Sequence, residues 1–365
     1  MYTQTEKNLI WLDSFNISLK KKNQILSICS AENLFFDLKE KQEQVKTIVE
    51  SPVFYDIQKN ANDDYVDNLL KQMDKFGVFA VCRESSNYSY MLKNIADPPL
   101  IIYTKGNLDI LNKKSIAIVG TRRPTRYGRE TAEYFSKKLA EAGLVIVSGL
   151  AFGIDTCVAQ ATVDAKLPTI AVLGGGLDSI YPSQNTALSE DIIKNNGLLI
   201  SEYPITIRPT AYSFLERNRI ISGLSLGTVV VEAGYRSGAL ATAGDAIEQG
   251  RELFVIPGNI NSSASEGCNK LVKSFPETFT TSPNDVLLAL NITASQESEA
   301  KSLQLSLEEA KIIDALGDDE LFIDEIADRA DIYGTTLLTT LSSLEIAGII
   351  KKLPGNYYAK ISLPK

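Results

Sequence analysis

Residues 115–129 read SIAIVGTRRPTRYGR, and the fold follows from how this stretch divides. Ile116 to Val119 form a strand-sized apolar run, Gly120 ends it, and an arginine-rich turn leads into a helix predicted to start near Tyr127. In a parallel α/β sheet such a turn lies at the carboxyl end of a strand, where ligands bind. Backbone N–H groups and the positive end of the helix dipole favour an anion there. Arg122, Arg123, Arg126 and Arg129 add four cations with no carboxylate among them. This pattern points to a phosphate-bearing ligand; the alternative is a solvated surface loop, the common fate of a charge run.

Outward from this stretch, residues 113 to 290 alternate apolar strand-sized runs with amphipathic helical segments. The strands are IAIVG, LVIVSG, TIAVLGG, LLISEY, TVVVEA and ELFVIPG; ETAEYFSKKLAEAG, residues 155–166, TALSEDIIKNNG, LERNRIISGLS and ATAGDAIEQG lie between them. Such alternation builds βαβ units, and near-continuous apolar strands imply a sheet covered on both faces. The prediction is an α/β, Rossmann-like doubly wound fold with a mainly parallel sheet. GTRRPT replaces the GxGxxG that would let the backbone approach a pyrophosphate, and no GxxxxGK[ST] occurs. Nicotinamide, flavin and Walker-type nucleotide binding are therefore excluded, and no cofactor is expected. Gly174, Gly175 and Gly176 form either a strand-to-loop turn or part of a ligand seat.

Three further strand ends converge on the same edge. Ser148 and Gly149 close the second strand, Gly153 permits tight backbone, and Asp155 reads as a helix cap rather than a catalytic acid. SFLERNRIISGLS brings Phe214, Arg217, Asn218 and Arg219 together; the arginines can reach phosphates and Phe214 offers a face to a base. The alternative puts Phe214 in the core and pairs the arginines with Glu202 or Glu232. Gly234, Ser237, Gly238 and Thr242 mark another strand-to-helix turn, where the hydroxyls act as phosphate donors or as caps.

The chain has 365 residues, 44% of them apolar, and a formal charge of −8, so whole-surface coating of nucleic acid is excluded while a local basic patch is not. There is no histidine, which excludes histidine-dependent triads, and Cys29, Cys82, Cys157 and Cys268 are too scattered for a zinc site or disulfide framework. The apolar runs are too short to cross a bilayer and MYTQTEKN lacks a signal-peptide pattern, so the cytoplasm is the expected location. Residues 1–76 read as a small helical domain. Lys20, Lys21 and Lys22 are balanced there by acids, and no glycine precedes Gly77 to form a DNA-contacting hairpin. From Gly77, VFAVCRE leads past Pro98 and Pro99 to a second apolar run, read as a joint to the sheet. Residues 291–302 read as a linker and 303–365 as three helices and a hairpin, a winged-helix pattern. Its third helix, 334–347, has no Lys or Arg and carries Glu345, while Asp318, Asp319 and Glu320 precede the second, so sequence-specific duplex readout is not expected.

SIAIVGTRRPTRYG, SGLAFGID, GGGLDSIYPSQN, SFLERNRIISGLS, VVVEAGYRSGALATAGDAIEQGR, VIPGN and EGCNKL, in this order and spacing, resemble the DNA-processing protein A (DprA, or Smf) family across about residues 85–290. The resemblance implies an extended Rossmann core (77–290), an N-terminal helical, SAM-like domain and an appended winged helix. It further implies a non-enzymatic homodimer that binds single-stranded DNA and passes it to the RecA recombinase in natural transformation. Motif by motif, it assigns DNA contact to Gly120, Thr121, Arg122, Arg123, Phe214, Arg217, Asn218 and Arg219, and also to Ser148, Gly149, Ser237 and Thr242. Two positions depart from the family: Ala159 stands where GIDxxAH has histidine, and Ser89 replaces the proline of YPxxL. The rival is a nucleoside monophosphate phosphoribohydrolase of similar fold, whose PGGxGTxxE motif is matched only by Gly227, Thr228 and a glutamate, Glu232, one residue late. A third reading is a scaffold that binds protein alone.

Overall fold

The structure is a computed structural model that describes residues 2–292, 306–317, 319–346, 349–353 and 355–360. The expected linker lies outside the described residues from 293 onward, as do Asp318 and the last residue of the 334–347 helix. Two compact units result, 1–294 and 295–365.

In the first unit eight strands form one sheet: β1 (Phe79–Cys82), β2 (Ile101–Gly106), β3 (Ser115–Val119), β4 (Val145–Ser148), β5 (Thr169–Leu173), β6 (Leu198–Ser201), β7 (Gly227–Val230) and β8 (Glu252–Val255). Their order is β1-β2-β6-β5-β4-β3-β7-β8. The six strands from β3 to β8 are parallel, and the stretch read as a joint adds β2, antiparallel to β6, and beyond it the edge strand β1, antiparallel to β2. Starting from β3, the chain winds outward through β4, β5 and β6, then returns to place β7 on the other side of β3. The order reverses between β3 and β7, which makes the crevice beyond their carboxyl ends the topological switch point.

Side-chain alternation explains the layering. Ile116 and Ile118 of β3 face a layer with Phe135, Leu139, Ile154 and Val158, whereas Ala117 and Val119 face Ile220, Ile221, Ala239 and Ala243. The helices Arg126–Glu141 and Ile154–Asp164 therefore cover one face, and Ala211–Gly223 and Ala239–Glu248 the other.

The N-terminal helices carry their own core around Trp11, Leu12, Phe54 and Ile57, with the Trp11 indole N–H donated to the Asn60 carbonyl at 2.7 Å. The first of them, Gln4–Asp13, also turns Leu9 and Ile10 onto the layer formed with Ile101, Tyr103 and Leu199. Its last residue, Asp13, accepts hydrogen bonds from Tyr103 Oη at 2.9 Å and Lys22 Nζ at 2.8 Å. Gly77 ends the last helix of this region in the left-handed conformation. Ser89, in place of the family proline, caps the short helix Tyr90–Lys93, and Ala159 is buried against an apolar layer with Leu150 and Ile192.

The second unit is a winged helix: helices Leu307–Leu316, Ile323–Ala330 and Gly334–Ile346 with β9 (Glu320–Phe322), β10 (Ile350–Leu353) and β11 (Tyr357–Lys360), in the antiparallel order β10-β11-β9. The outer face of the third helix shows Thr335, Thr336, Leu338, Thr339, Ser342, Ser343 and Glu345, without a cation. No helix among the described residues is long and apolar enough to cross a membrane.

Candidate functional site

A cleft of about 630 Å³ opens at the switch point. Gly120, Thr121, Arg122 and Arg123 enter it after β3, Phe214, Arg217 and Asn218 from the helix Ala211–Gly223, and Arg236, Ser237, Gly238 and Thr242 after β7. Three segments far apart in sequence thus meet because parallel strands deliver all their carboxyl ends to one edge.

The arginine turn is held in place from two sides. Thr121 donates its backbone N–H to the Glu232 carbonyl at 2.7 Å, and its own carbonyl accepts the Ile154 N–H at 3.1 Å. Gly153, at φ +85°, permits this second approach, since a side chain there would overlap the Thr121 carbonyl and the Arg122 backbone. Arg122 and Arg123 are exposed and form no ion pair among the described residues. Of the other two arginines in the turn, Arg126 pairs with Glu130 at 2.6 Å and Arg129 donates to the Pro124 carbonyl at 3.1 Å.

One expectation about this turn is corrected. The anion favoured by the start of the helix Arg126–Glu141 is supplied by the protein itself. Glu232, 2% exposed, accepts the Thr125 backbone N–H at 2.8 Å and the Thr125 hydroxyl at 2.7 Å. An external phosphate finds that helix end occupied, so the turn offers its two free guanidinium groups instead.

Phe214 is partly exposed. Its ring lies 5.2 Å below the Arg122 guanidinium, with the Tyr181 ring 5.6 Å away and tilted by 42°. Gly174 makes room for it, since a Cβ there would stand 3.0 Å from the ring. The glycine run after β5 thereby seats the segment that carries Phe214.

Arg217 is not the phosphate-gripping cation its sequence position suggested. It is 3% exposed and donates Nη1–H to the Gly149 carbonyl at 2.6 Å and to the Val172 carbonyl, tying the ends of β4 and β5 to the helix. Burial pulls its pKa down to about 10, opposed by Asp155 and aided by Arg122. Burial likewise pushes the Asp155 carboxyl up, with Arg217 and backbone hydrogen bonds from Ala151 and Gly149 acting against it.

Arg219 is also corrected: it turns away, pairs with Glu202, and lines a second cavity of about 530 Å³ beside the N-terminal helices. Ser148 and Gly149 are buried. The Ser148 hydroxyl donates to the Ile118 carbonyl at 2.8 Å and the Gly149 carbonyl is spent on Arg217, so neither residue reaches the cleft. Asn218, Ser237 and Thr242 line the cleft together with Gly120 and Thr121. The Asn218 amide touches the Gly238 carbonyl at 3.4 Å, and Ser237 Oγ accepts the Ala239 N–H at 3.3 Å.

Arg236 escaped the sequence reading. It is exposed, lines the cleft and forms no ion pair among the described residues. Its position immediately before the hydroxyl-bearing Ser237 turn was the available signal. With Arg122 and Arg123 it makes three unpaired cations around a half-exposed aromatic ring, an arrangement suited to a polyanion with stackable bases.

Comparison with known proteins agrees with this architecture. The family model for DNA recombination-mediator protein A matches residues 79–291, and that for the DprA winged helix domain matches 296–356. Protein Smf of Escherichia coli is 36% identical over 282 residues, 75% of each chain. DNA processing protein DprA of Streptococcus pneumoniae is 42% identical over 220 residues, covering 60% of this chain and 76% of that one. The X-ray structure of the Streptococcus pneumoniae protein superposes with a TM-score of 0.67 at 33% identity over 79% of this chain and 98% of its own. A solved structure of DNA processing protein A from Helicobacter pylori, described for its single-stranded DNA binding mode, gives 0.53 at 31% identity over 59% of this chain and 95% of its own.

Proposed function

Since the chain belongs to the DNA recombination-mediator protein A family, we propose that its switch-point cleft is a single-stranded DNA groove and that the protein works by positioning DNA rather than by catalysis. The observation that carries this reading is the set of unpaired cations Arg122, Arg123 and Arg236 around the partly exposed Phe214. Arginines neutralise phosphates without regard to sequence, and an aromatic face accepts any base, so the groove would grip a strand while hardly reading it. The relative from Helicobacter pylori, described for its single-stranded DNA binding mode, supports the same assignment.

In this proposal the protein acts as a homodimer that protects incoming strands and hands them to the RecA recombinase during natural transformation, in the cytoplasm. Exposed Phe275, Phe279 and Leu288, past β8, offer an apolar surface on which two copies would meet. The winged helix, lacking cations on its third helix, is assigned an accessory, protein-contacting role. The rival phosphoribohydrolase reading is disfavoured because the Glu232 carboxylate is buried and engaged by Thr125. Fluorescence anisotropy with labelled oligo(dT) and a matched duplex tests the proposal. Tight binding of the single strand and weak binding of the duplex supports it, while equal binding of both, or none, rejects it.

A further inference from the structure

We infer that Tyr181 is a second stacking station of the groove, taking the base next to the one held at Phe214 and leading the strand out of the cleft across the ends of β4 and β5. This rests on reading the cleft as a single-strand groove.

Tyr181 is not among the residues that line the cleft, yet its ring lies 5.6 Å from that of Phe214 and is tilted by 42°. Rings at that separation touch each other, so no base fits between them and the free stacking surface is the outer side of Tyr181. Phe214 shares its face with the Arg122 guanidinium 5.2 Å away. Among the described residues no cation lies over the Tyr181 ring, which is 53% exposed. The sheet order sets the direction of the path. Arg236 follows β7, Arg122 follows β3 next to it, and Tyr181 follows β5 on the far side of β4. Three strand spacings separate the ends of β7 and β5, about 14 Å along one edge.

The segment that carries Tyr181 is anchored on both sides of it. Leu177 and Ile180 turn into the apolar layer with Ala171 and Leu188. The buried Asn185 donates its amide to the Leu150 carbonyl, just past β4, and to the Thr156 hydroxyl, each at 2.9 Å. A ring mounted on backbone held in this way loses little freedom when a base settles on it, so most of the stacking energy is kept as affinity.

The surrounding charge does not repel a polyanion. Asp178 is the only acid from Gly174 to Asn185, and it is compensated: it accepts the Thr206 N–H at 2.9 Å and lies 3.5 Å from the Arg208 guanidinium. The Arg208 side chain is itself 65% exposed, which leaves a cation beside this loop. Tyr181 thus offers an uncovered aromatic face on fixed backbone where the strand would leave the Phe214 wall.

The test uses the full chain with labelled oligo(dT) across a range of salt. Tyr181→Leu keeps apolar bulk against Phe214 and removes the aromatic face. It should weaken binding roughly tenfold, as for one base–aromatic stack, and leave the slope of log affinity against log salt unchanged. Tyr181→Trp should retain binding, and thermal unfolding of both variants should match wild type. An oligo(dT) carrying one 5-iododeoxyuridine, irradiated on the protein and read by mass spectrometry, should attach to Tyr181 from one position and to Phe214 from the adjacent one. If Tyr181→Leu binds as wild type while Arg122→Ala is weakened, or if no position attaches to Tyr181, the station is refuted and the groove stands. If the wild-type protein fails to bind, groove and station fall together.

Discussion

The Arg217 guanidinium donates to the Gly149 carbonyl at 2.6 Å, joining the end of β4 to the helix that carries Phe214. Phe214 sits one turn before Arg217, so this buried clamp fixes the height of the aromatic face above the cleft floor. Arg217→Met leaves the Gly149 and Val172 carbonyls and the Asp155 carboxyl without their cation. It should cost about 3–5 kcal/mol of stability, the range for breaking a buried charged contact. Chemical denaturation checks this. Any protein that remains folded should bind single strands more weakly with an unchanged salt slope, because no phosphate contact is removed.

Phe214 is expected to act through its face. Phe214→Ala should weaken oligo(dT) binding by about 1–3 kcal/mol, the cost of one lost base–aromatic stack, at every salt concentration. Phe214→Trp should retain binding. Titrations at two salt concentrations distinguish this from a charge effect, since the slope should not move.

Glu232 is a structural anion at the start of the helix Arg126–Glu141. Glu232→Ala orphans the Thr125 N–H and should lower stability by about 1–3 kcal/mol, the penalty for an unmet buried donor. Thermal unfolding measures this. A chromatographic assay of the wild-type protein with AMP should detect no released base.

Asp245 has its carboxyl raised to about 6 by burial first and by Glu248 second, against the pull of Arg219. A raised acid pKa means that the folded protein holds the proton more tightly than the unfolded chain. The site therefore favours folding most at low pH and loses this contribution as pH rises from about 4 to about 6. Asp245→Asn should raise the melting temperature at pH 7.5 and have little effect near pH 4. A higher wild-type melting temperature at pH 7.5 would contradict this.

Much of the fold was legible because buried parallel strands are continuous apolar runs, and all six parallel strands coincide with such runs. The arginine turn and Phe214 were legible as cleft residues for the same reason: both sit just past strand ends or at a helix start. Arg219 was misjudged although its spacing held the answer. Phe214, Arg217 and Asn218, at i, i+3 and i+4, share a helix face, while a residue at i+5 lies about 140° round the axis. The occupation of the first helix end was not legible, because Glu232 lies 107 residues from the Thr125 it binds. Nor could the sequence distinguish a buried arginine serving carbonyls from an exposed one serving phosphates. That difference is set by the packing of β4 and β5 against the helix.

The salt dependence of oligo(dT) binding by wild-type protein and by Arg122→Ala tests the central claim most directly. Arg122 carries no structural hydrogen bond among the described residues, so its removal should leave the fold intact. The groove predicts a steep fall of affinity with salt for wild type and a slope flatter by about 0.7 for the variant, with weaker binding of every sequence. Identical affinities and slopes for the two proteins would contradict it.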